Sequence, residues 1–237
     1  MNIAVIFAGG IGSRMKTKDG TPKQFLEIEG VPILIHTLRN FQNCGAIDKI
    51  VVVMKEGYLD RTKALIEKFD ISKVERLVVG GETGQESIYH GLLAANELSE
   101  SDEDIVLIHD GVRPFIDEEL INNNINCVKK YGSSISCAPS KETIIEINDD
   151  REVNKVIDRT KIWLARAPQS FYLKDILSVH EEALKQGITN AIDSCTMMMD
   201  AGKKLHMVET DAENIKITTP EDFYVAKGLI ARREANE

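Results

Sequence analysis

The first residues that could do chemistry are Phe7-Ala8-Gly9-Gly10-Ile11-Gly12-Ser13-Arg14-Met15, directly after an apolar run. Gly9, Gly10 and Gly12 let the backbone approach an anionic ligand and turn successive N–H groups toward phosphate oxygens. Arg14 adds a planar cation able to grip phosphate bidentately. The spacing is not a dinucleotide fingerprint, because G-G-x-G-x-R departs from G-x-G-x-x-G and no acidic ribose anchor ends the second strand. Nor is it a P-loop, which needs Gly-Lys followed by Ser or Thr. The plain alternative is a tight strand-to-helix turn with Arg14 in water.

Two further clusters join it. Pro22-Lys23-Gln24-Phe25-Leu26 places a lysine between a proline and an apolar anchor, where it can turn back toward the loop; alone it reads as a surface lysine. Two cations beside a glycine loop would neutralise a triphosphate and the charge that develops when its α-phosphorus is attacked. His109-Asp110-Gly111-Val112-Arg113-Pro114 follows an apolar strand. Asp110 could hold a divalent metal through one oxygen, since Mg²⁺ on phosphates needs only one or two protein carboxylates. Arg113 could contact a phosphate or pair with an acid. Taken alone, the better reading is a strand-end turn with Asp110 capping the backbone, and His109 reads as structural.

These clusters need a frame, and hydrophobic periodicity supplies one. Asn2–Phe7, Ile47–Met54, Val74–Val79 and Asp104–His109 are short apolar runs suited to parallel strands buried on both faces. Ile33–Phe41, Tyr58–Lys68, Gln85–Glu97 and Glu118–Tyr131 carry apolar residues at helical spacing. The alternation predicts an α/β fold, a mostly parallel sheet with helices on both faces. Ser140–Arg159 breaks the rhythm with two short polar strands, Thr143–Ile147 and Glu152–Ile157, joined at Asn148-Asp149-Asp150. Such a hairpin is too small to stand alone and must pack on something. Helices are expected at Leu173–Gln186, Asp193–Ala201 and Pro220–Arg233, with a late strand at Lys204–Glu209 and Ile215. The simplest organisation is one domain, 1–237, with an inserted arm.

Bulk properties narrow the class. Twenty-nine basic against 38 acidic residues give a net charge of −9, which argues against nucleic-acid binding. The apolar run Ile3–Ala8 is far short of the ~20 residues that span a bilayer, so no membrane association is expected. No secretory signal is visible. Cys44, Cys127, Cys137 and Cys195 show no C-x-x-C spacing and read as reduced thiols. A soluble, cytoplasmic protein is the expectation.

The clusters then combine with Pro32-Ile33-Leu34-Ile35-His36-Thr37, Gly80-Gly81, Pro168-Gln169-Ser170-Phe171 and Asn214-Ile215-Lys216-Ile217-Thr218-Thr219-Pro220-Glu221-Asp222. In that order they resemble the cytidylyltransferases acting on 2-C-methyl-D-erythritol 4-phosphate or ribitol 5-phosphate, from residue 2 to about residue 230. The resemblance implies a Rossmann-like nucleotidyltransferase and a homodimer whose hairpin arm completes the partner's active site. It implies CTP and an alcohol phosphate as substrates, with a CDP-alcohol and pyrophosphate as products. Position by position, it gives Arg14, Lys23 and Lys216 catalytic roles on the phosphates. Ala8, Gly9, Gly10, Gly12, Ser87 and Asp110 fall near the nucleotide, and Arg113, Thr143 and Arg159 near the acceptor phosphate. Mg²⁺ or another divalent cation is expected beside Asp110.

Four positions depart from the resemblance. Gly84 stands where an arginine usually follows the Gly-Gly pair, Ala167 replaces a threonine, and Ile192 replaces a threonine or serine. Ala8-Gly9-Gly10 is the ribitol-type form of the loop. That loop and Arg113-Pro114-Phe115 favour a ribitol-5-phosphate-like acceptor, whereas Val156-Ile157-Asp158-Arg159 leans toward the erythritol enzyme of isoprenoid synthesis. A catalytically silent nucleotide-binding subunit is the alternative from another class; the retained phosphate cations speak against it.

Overall fold

Apolar side chains alternate between two faces along three adjacent strands, and this alternation builds the molecule. The structure, a computed structural model, describes residues 1–10, 14–15, 17 and 20–235. Its first half runs β1 (Asn2–Phe7), a 3-10 turn at Lys23–Phe25, β2 (Glu27–Ile28), β3 (Val31–Pro32), α1 (Ile33–Asn43), β4 (Lys49–Met54), α2 (Leu59–Lys68), β5 (Val74–Val79), α3 (Gly84–Leu98), β6 (Ile105–Asp110) and α4 (Glu118–Tyr131). The second half runs β7 (Ser133–Pro139), β8 (Ile145–Ile147), β9 (Val153–Val156), β10 (Trp163–Tyr172), α5 (Leu173–Lys185), α6 (Ser194–Asp200), β11 (Met207–Glu209) and α7 (Pro220–Glu234).

Seven strands form the main sheet in the order β11-β7-β10-β6-β1-β4-β5. β1 pairs in parallel with β4 and β6, β4 with β5, and β7 with β11, while β10 runs antiparallel between β6 and β7. Ala4, Ile6, Val52 and Leu107 pack on one face with α1 and α4, and Ile3, Val5, Val53 and Val106 pack on the other with α3 and α5. This is the mostly parallel, doubly covered sheet that the apolar runs predict. α3 lies so close that a Cβ on Gly91 would sit 2.5 Å from Val5 Cγ1, which explains a glycine in mid-helix. A third cluster, with Ile28, Ile33, Val112, Phe115, Ile217 and Ala226, seats α7 against the loop after β6.

β7 and β10 are absent from the periodicity reading, and the reason is chemical. Ser133, Ser134, Ser136 and Ser170 are buried there, and serine gives no apolar signal. Ser133 Oγ donates to Lys204 O at 3.1 Å, and Asn124 of α4 serves the other three. Its Oδ1 accepts from Ser134 Oγ at 2.9 Å and Ser170 Oγ at 3.3 Å, and its Nδ2 donates to Ser136 Oγ at 3.0 Å. Buried hydroxyls with partners cost little, whereas orphaned ones are expensive. The late strand is shorter than expected, only Met207–Glu209, and Ile215 lies outside any strand.

The arm is present as an antiparallel hairpin of β8 and β9, with Ile145 opposite Val156. Its turn closes through Asn148 N donating to Glu152 O at 3.1 Å. Ile145, Ile147, Val153 and Val156 are 48–62% exposed, so within one chain the hairpin finds nothing to cover its apolar side chains. Among the described residues, no helix is long and apolar enough to cross a membrane.

Candidate active site

β1 and β6 are parallel neighbours, with Phe7 in register with Asp110, so the loops that follow them leave the sheet side by side. Open α/β sheets bind ligands at this edge. Ala8 N donates to Val53 O at 2.8 Å, and Gln24 Nε2 donates to Ala8 O at 2.8 Å, which fixes the start of the glycine loop. Gly9 and Gly10 follow there, while Gly12 lies outside the described residues. Arg14 is exposed.

Asp110 organises the cations. Its side chain is buried; Oδ2 accepts from Arg113 Nε at 3.1 Å, and Oδ1 sits 2.5 Å from Lys216 Nζ. Burial alone would raise its pKa, but the charges of Arg113 and Lys216 overcome this and hold it at about 2. Arg113 also donates to Asn214 O at 2.7 Å, and Asn214 Nδ2 donates to Ala167 O at 2.8 Å. The Asn-Ile-Lys segment is thereby tied to β10. His109 is fully buried; its Nε2 lies 3.0 Å from Arg113 O, and burial pushes its pKa down to about 4. A neutral imidazole under the loop is a structural element, as the sequence suggests.

Lys23 is buried rather than a surface lysine, and Nζ donates to Ile217 O at 3.1 Å. Burial, then Lys216 and Arg14, pull its pKa down to about 8, against partial opposition from Asp110 and Asp222. Lys23 therefore joins Arg14, Lys216 and Asp110 in one electrostatic cluster. An excess of positive charge gathered at a sheet edge is suited to a polyanion.

A cavity of about 290 Å³ opens beside this cluster. Asp110, Arg113 and Lys216 line it, together with Phe7, Ile108 and Met197. Its far wall is the 188–195 segment, held to α3 by Gln85, whose Nε2 donates to Ile188 O at 2.7 Å and whose Oε1 accepts from Ala191 N at 2.8 Å. Gln169 secures the same wall, donating to Asp193 Oδ2 at 2.9 Å and accepting from Cys195 N at 2.8 Å. Gly84 also lines the cavity, with open space where a side chain would stand.

Ser87, Thr143 and Arg159 do not line the cavity, though Ser87 Oγ would lie 4.0 Å from a Cβ on Gly9 of the glycine loop. Ser87 accepts from Gly81 N at 3.1 Å and donates to Thr83 O at 2.9 Å, so its hydroxyl shapes the Gly80-Gly81 loop. Thr143 and Arg159 are exposed on the arm and do not line the cavity; Arg159 Nη1 lies 3.4 Å from Lys141 O. Arg166, Gln85 and Ser194 line the cavity and escape the sequence reading. The signal for Arg166 was a basic residue just before Ala167-Pro168-Gln169; Gln85 and Ser194 carry none. Among the described residues, no group of three or more His, Cys, Asp or Glu could hold a metal ion. The donors fit only a cation that brings most of its ligands with it, with Asp110 as the carboxylate beside the cations.

The 2-C-methyl-D-erythritol 4-phosphate cytidylyltransferase family matches residues 2–232. A ribitol-5-phosphate cytidylyltransferase of Streptococcus agalactiae (serotype III) is 54% identical over 234 residues, 99% of this chain and 97% of that one. A 2-C-methyl-D-erythritol 4-phosphate cytidylyltransferase of Clostridium acetobutylicum is 38% identical, covering 98% of each. The crystal structure of 4-diphosphocytidyl-2C-methyl-D-erythritol synthase from Anaerococcus prevotii superposes with a TM-score of 0.84 at 32% identity, over 98% of this chain and 96% of that one.

The buried Lys23 ammonium makes stability depend on pH in a defined window. Its folded pKa of about 8 lies below the 10.5 of an ordinary lysine, so between these values the unfolded chain binds the extra proton and stability rises with pH. Urea unfolding of wild type and Lys23→Met at pH 7, 8.5 and 10 should therefore show wild type gaining relative to the variant above pH 8. A constant difference across that range would place Lys23 in ordinary solvent.

Proposed function

This chain belongs to the 2-C-methyl-D-erythritol 4-phosphate cytidylyltransferase family, and we propose that it transfers CMP from CTP to ribitol 5-phosphate, releasing pyrophosphate. The acceptor choice is carried by one observation, the higher identity to the streptococcal ribitol-5-phosphate enzyme than to the clostridial erythritol one. The cation cluster around Asp110 supports the nucleotidyl chemistry. An oxygen of the acceptor phosphate attacks the α-phosphorus of CTP and forms the new P–O bond. The bond to the bridging α–β oxygen breaks, and its electron pair leaves with pyrophosphate. No general base is needed, because a phosphate monoester is already anionic near neutral pH.

Arg14, Lys23 and Lys216 hold the triphosphate and stabilise charge on the α-phosphate, where it grows in the transition state. Gly9 and Gly10 bring backbone N–H groups to it, and Ala8 and Ser87 fix the walls around the nucleotide. Asp110 keeps Lys216 and Arg113 in place and lies where a divalent ion on CTP would find one carboxylate. Mg²⁺ bound with CTP supplies charge neutralisation on the phosphate oxygens. Arg113 takes the acceptor phosphate. Most of the acceleration comes from positioning and charge rather than proton transfer.

The half-exposed apolar hairpin supports a homodimer with exchanged arms, since contiguous apolar surface on an arm invites a partner. Thr143 and Arg159 then reach the acceptor phosphate of the partner's site.

Pyrophosphate release from CTP should be fastest with ribitol 5-phosphate in a panel that includes 2-C-methyl-D-erythritol 4-phosphate, and excess EDTA should stop it. Faster turnover of the erythritol phosphate would make that the acceptor instead. For the arm, Arg14→Ala and Arg159→Ala chains are each expected to be inactive as homodimers. Mixed dimers should regain about half the wild-type activity, because crossing the arms gathers both lesions in one site. Verified mixed dimers that stay inactive would reject the exchange.

A further inference from the structure

β10 loses register between Ala165, opposite Cys137, and Gln169, opposite Ile135. Arg166, Ala167 and Pro168 occupy the break, and their backbone is anchored on two sides. Ala167 O accepts from Asn214 Nδ2 and Pro168 O accepts from Ser136 Oγ, each at 2.8 Å. Arg166 thus enters the cavity from a fixed backbone.

Its charge is uncompensated there. Arg113 and Lys216, on the same cavity, both lean on Asp110. Among the described residues no ion pair includes Arg166, and its buried Nε has no hydrogen-bond acceptor. Burial, and then the charge of Arg113, lower its pKa. Two guanidiniums lining one cavity are a poor arrangement by themselves and a good one around a dianion, which can accept from both forks.

Which anion follows from the lining. Of the three cations assigned to the triphosphate, Arg14 and Lys23 do not line this cavity and only Lys216 reaches it, paired with Asp110, whereas both Arg113 and Arg166 line it. We propose that Arg166 binds the phosphate monoester of the acceptor together with Arg113 and so sets specificity for phosphorylated acceptors. The assignment rests on the cytidylyl-transfer reading above, though not on which alditol carries the phosphate.

Steady-state kinetics of Arg166→Gln and Arg166→Lys test it, using CTP and whichever phosphate monoester wild type turns over best. Losing charge-assisted bonds should raise KM for that monoester by ~10-fold or more in Arg166→Gln, with KM for CTP changed less than ~2-fold and Arg166→Lys in between. Thermal unfolding of the ligand-free variants adds a second readout. Removing an uncompensated cation should leave Tm equal or raise it, whereas a packing role would lower it. An unchanged acceptor KM, or an equal rise for CTP, overturns the proposal. If Arg166→Gln fails to fold, an acceptor KM in Arg166→Lys equal to wild type does the same. A best substrate other than ribitol 5-phosphate would move the acceptor assignment and leave the Arg166 result standing.

Discussion

One buried carboxylate carries the arrangement of this site. Asp110 ends the strand next to β1 and holds Arg113 on one oxygen and Lys216 on the other. Without it, three buried or half-buried cations, Lys23, Arg113 and Lys216, would face one another with their charge unbalanced. The lowered pKa of Lys23 comes first from burial and then from the charge of Lys216. Asp110 offsets part of the repulsion among these cations, which still outnumber it. A carboxylate held at about pKa 2 stays ionised throughout the physiological range.

The rest of the structure delivers residues to that carboxylate. The parallel pairing of β1 and β6 sets the glycine loop beside Asp110. The third apolar cluster holds Ile217 at the root of the segment that carries Lys216. Asn214 links this segment to β10, and the Asn124–serine network lets β7 and β10 lie buried beside β6. The cavity between β6, β10 and α6 thus has walls made by hydrogen bonds as much as by apolar packing. Such walls hold their shape before any ligand arrives, which is what catalysis by positioning requires.

Legibility in the sequence followed the source of stability. β1 is readable to the residue because its run is apolar and buried, and β5 because Leu77-Val78-Val79 stop at Gly80-Gly81, although Glu75 and Arg76 leave it half-exposed at the sheet edge. β7 and β10 hide, because their burial depends on Asn124, a partner distant in sequence for β10 and unremarkable in α4. Lys23, Asp110 and Arg113 are legible because glycine, proline and charge recur there in tight clusters, and Lys216 only through the family resemblance of its Asn-Ile-Lys block. Arg166 is not, since a lone arginine before Ala-Pro gives no sign that it lines the same cavity as Arg113. The arm's strands are legible as a hairpin, whereas nothing within one chain brings Thr143 and Arg159 to the cavity.

The central claim is that Asp110 acts by positioning the phosphate cations, and single-turnover pyrophosphate release by Asp110→Asn tests it most directly. Asparagine keeps the size of the side chain and removes the charge that holds Arg113 and Lys216. With CTP and acceptor saturating and the circular dichroism spectrum unchanged, the account predicts a rate at least ~100-fold below wild type. A rate within ~3-fold of wild type would contradict it, since the cations would then be in place without their shared anchor.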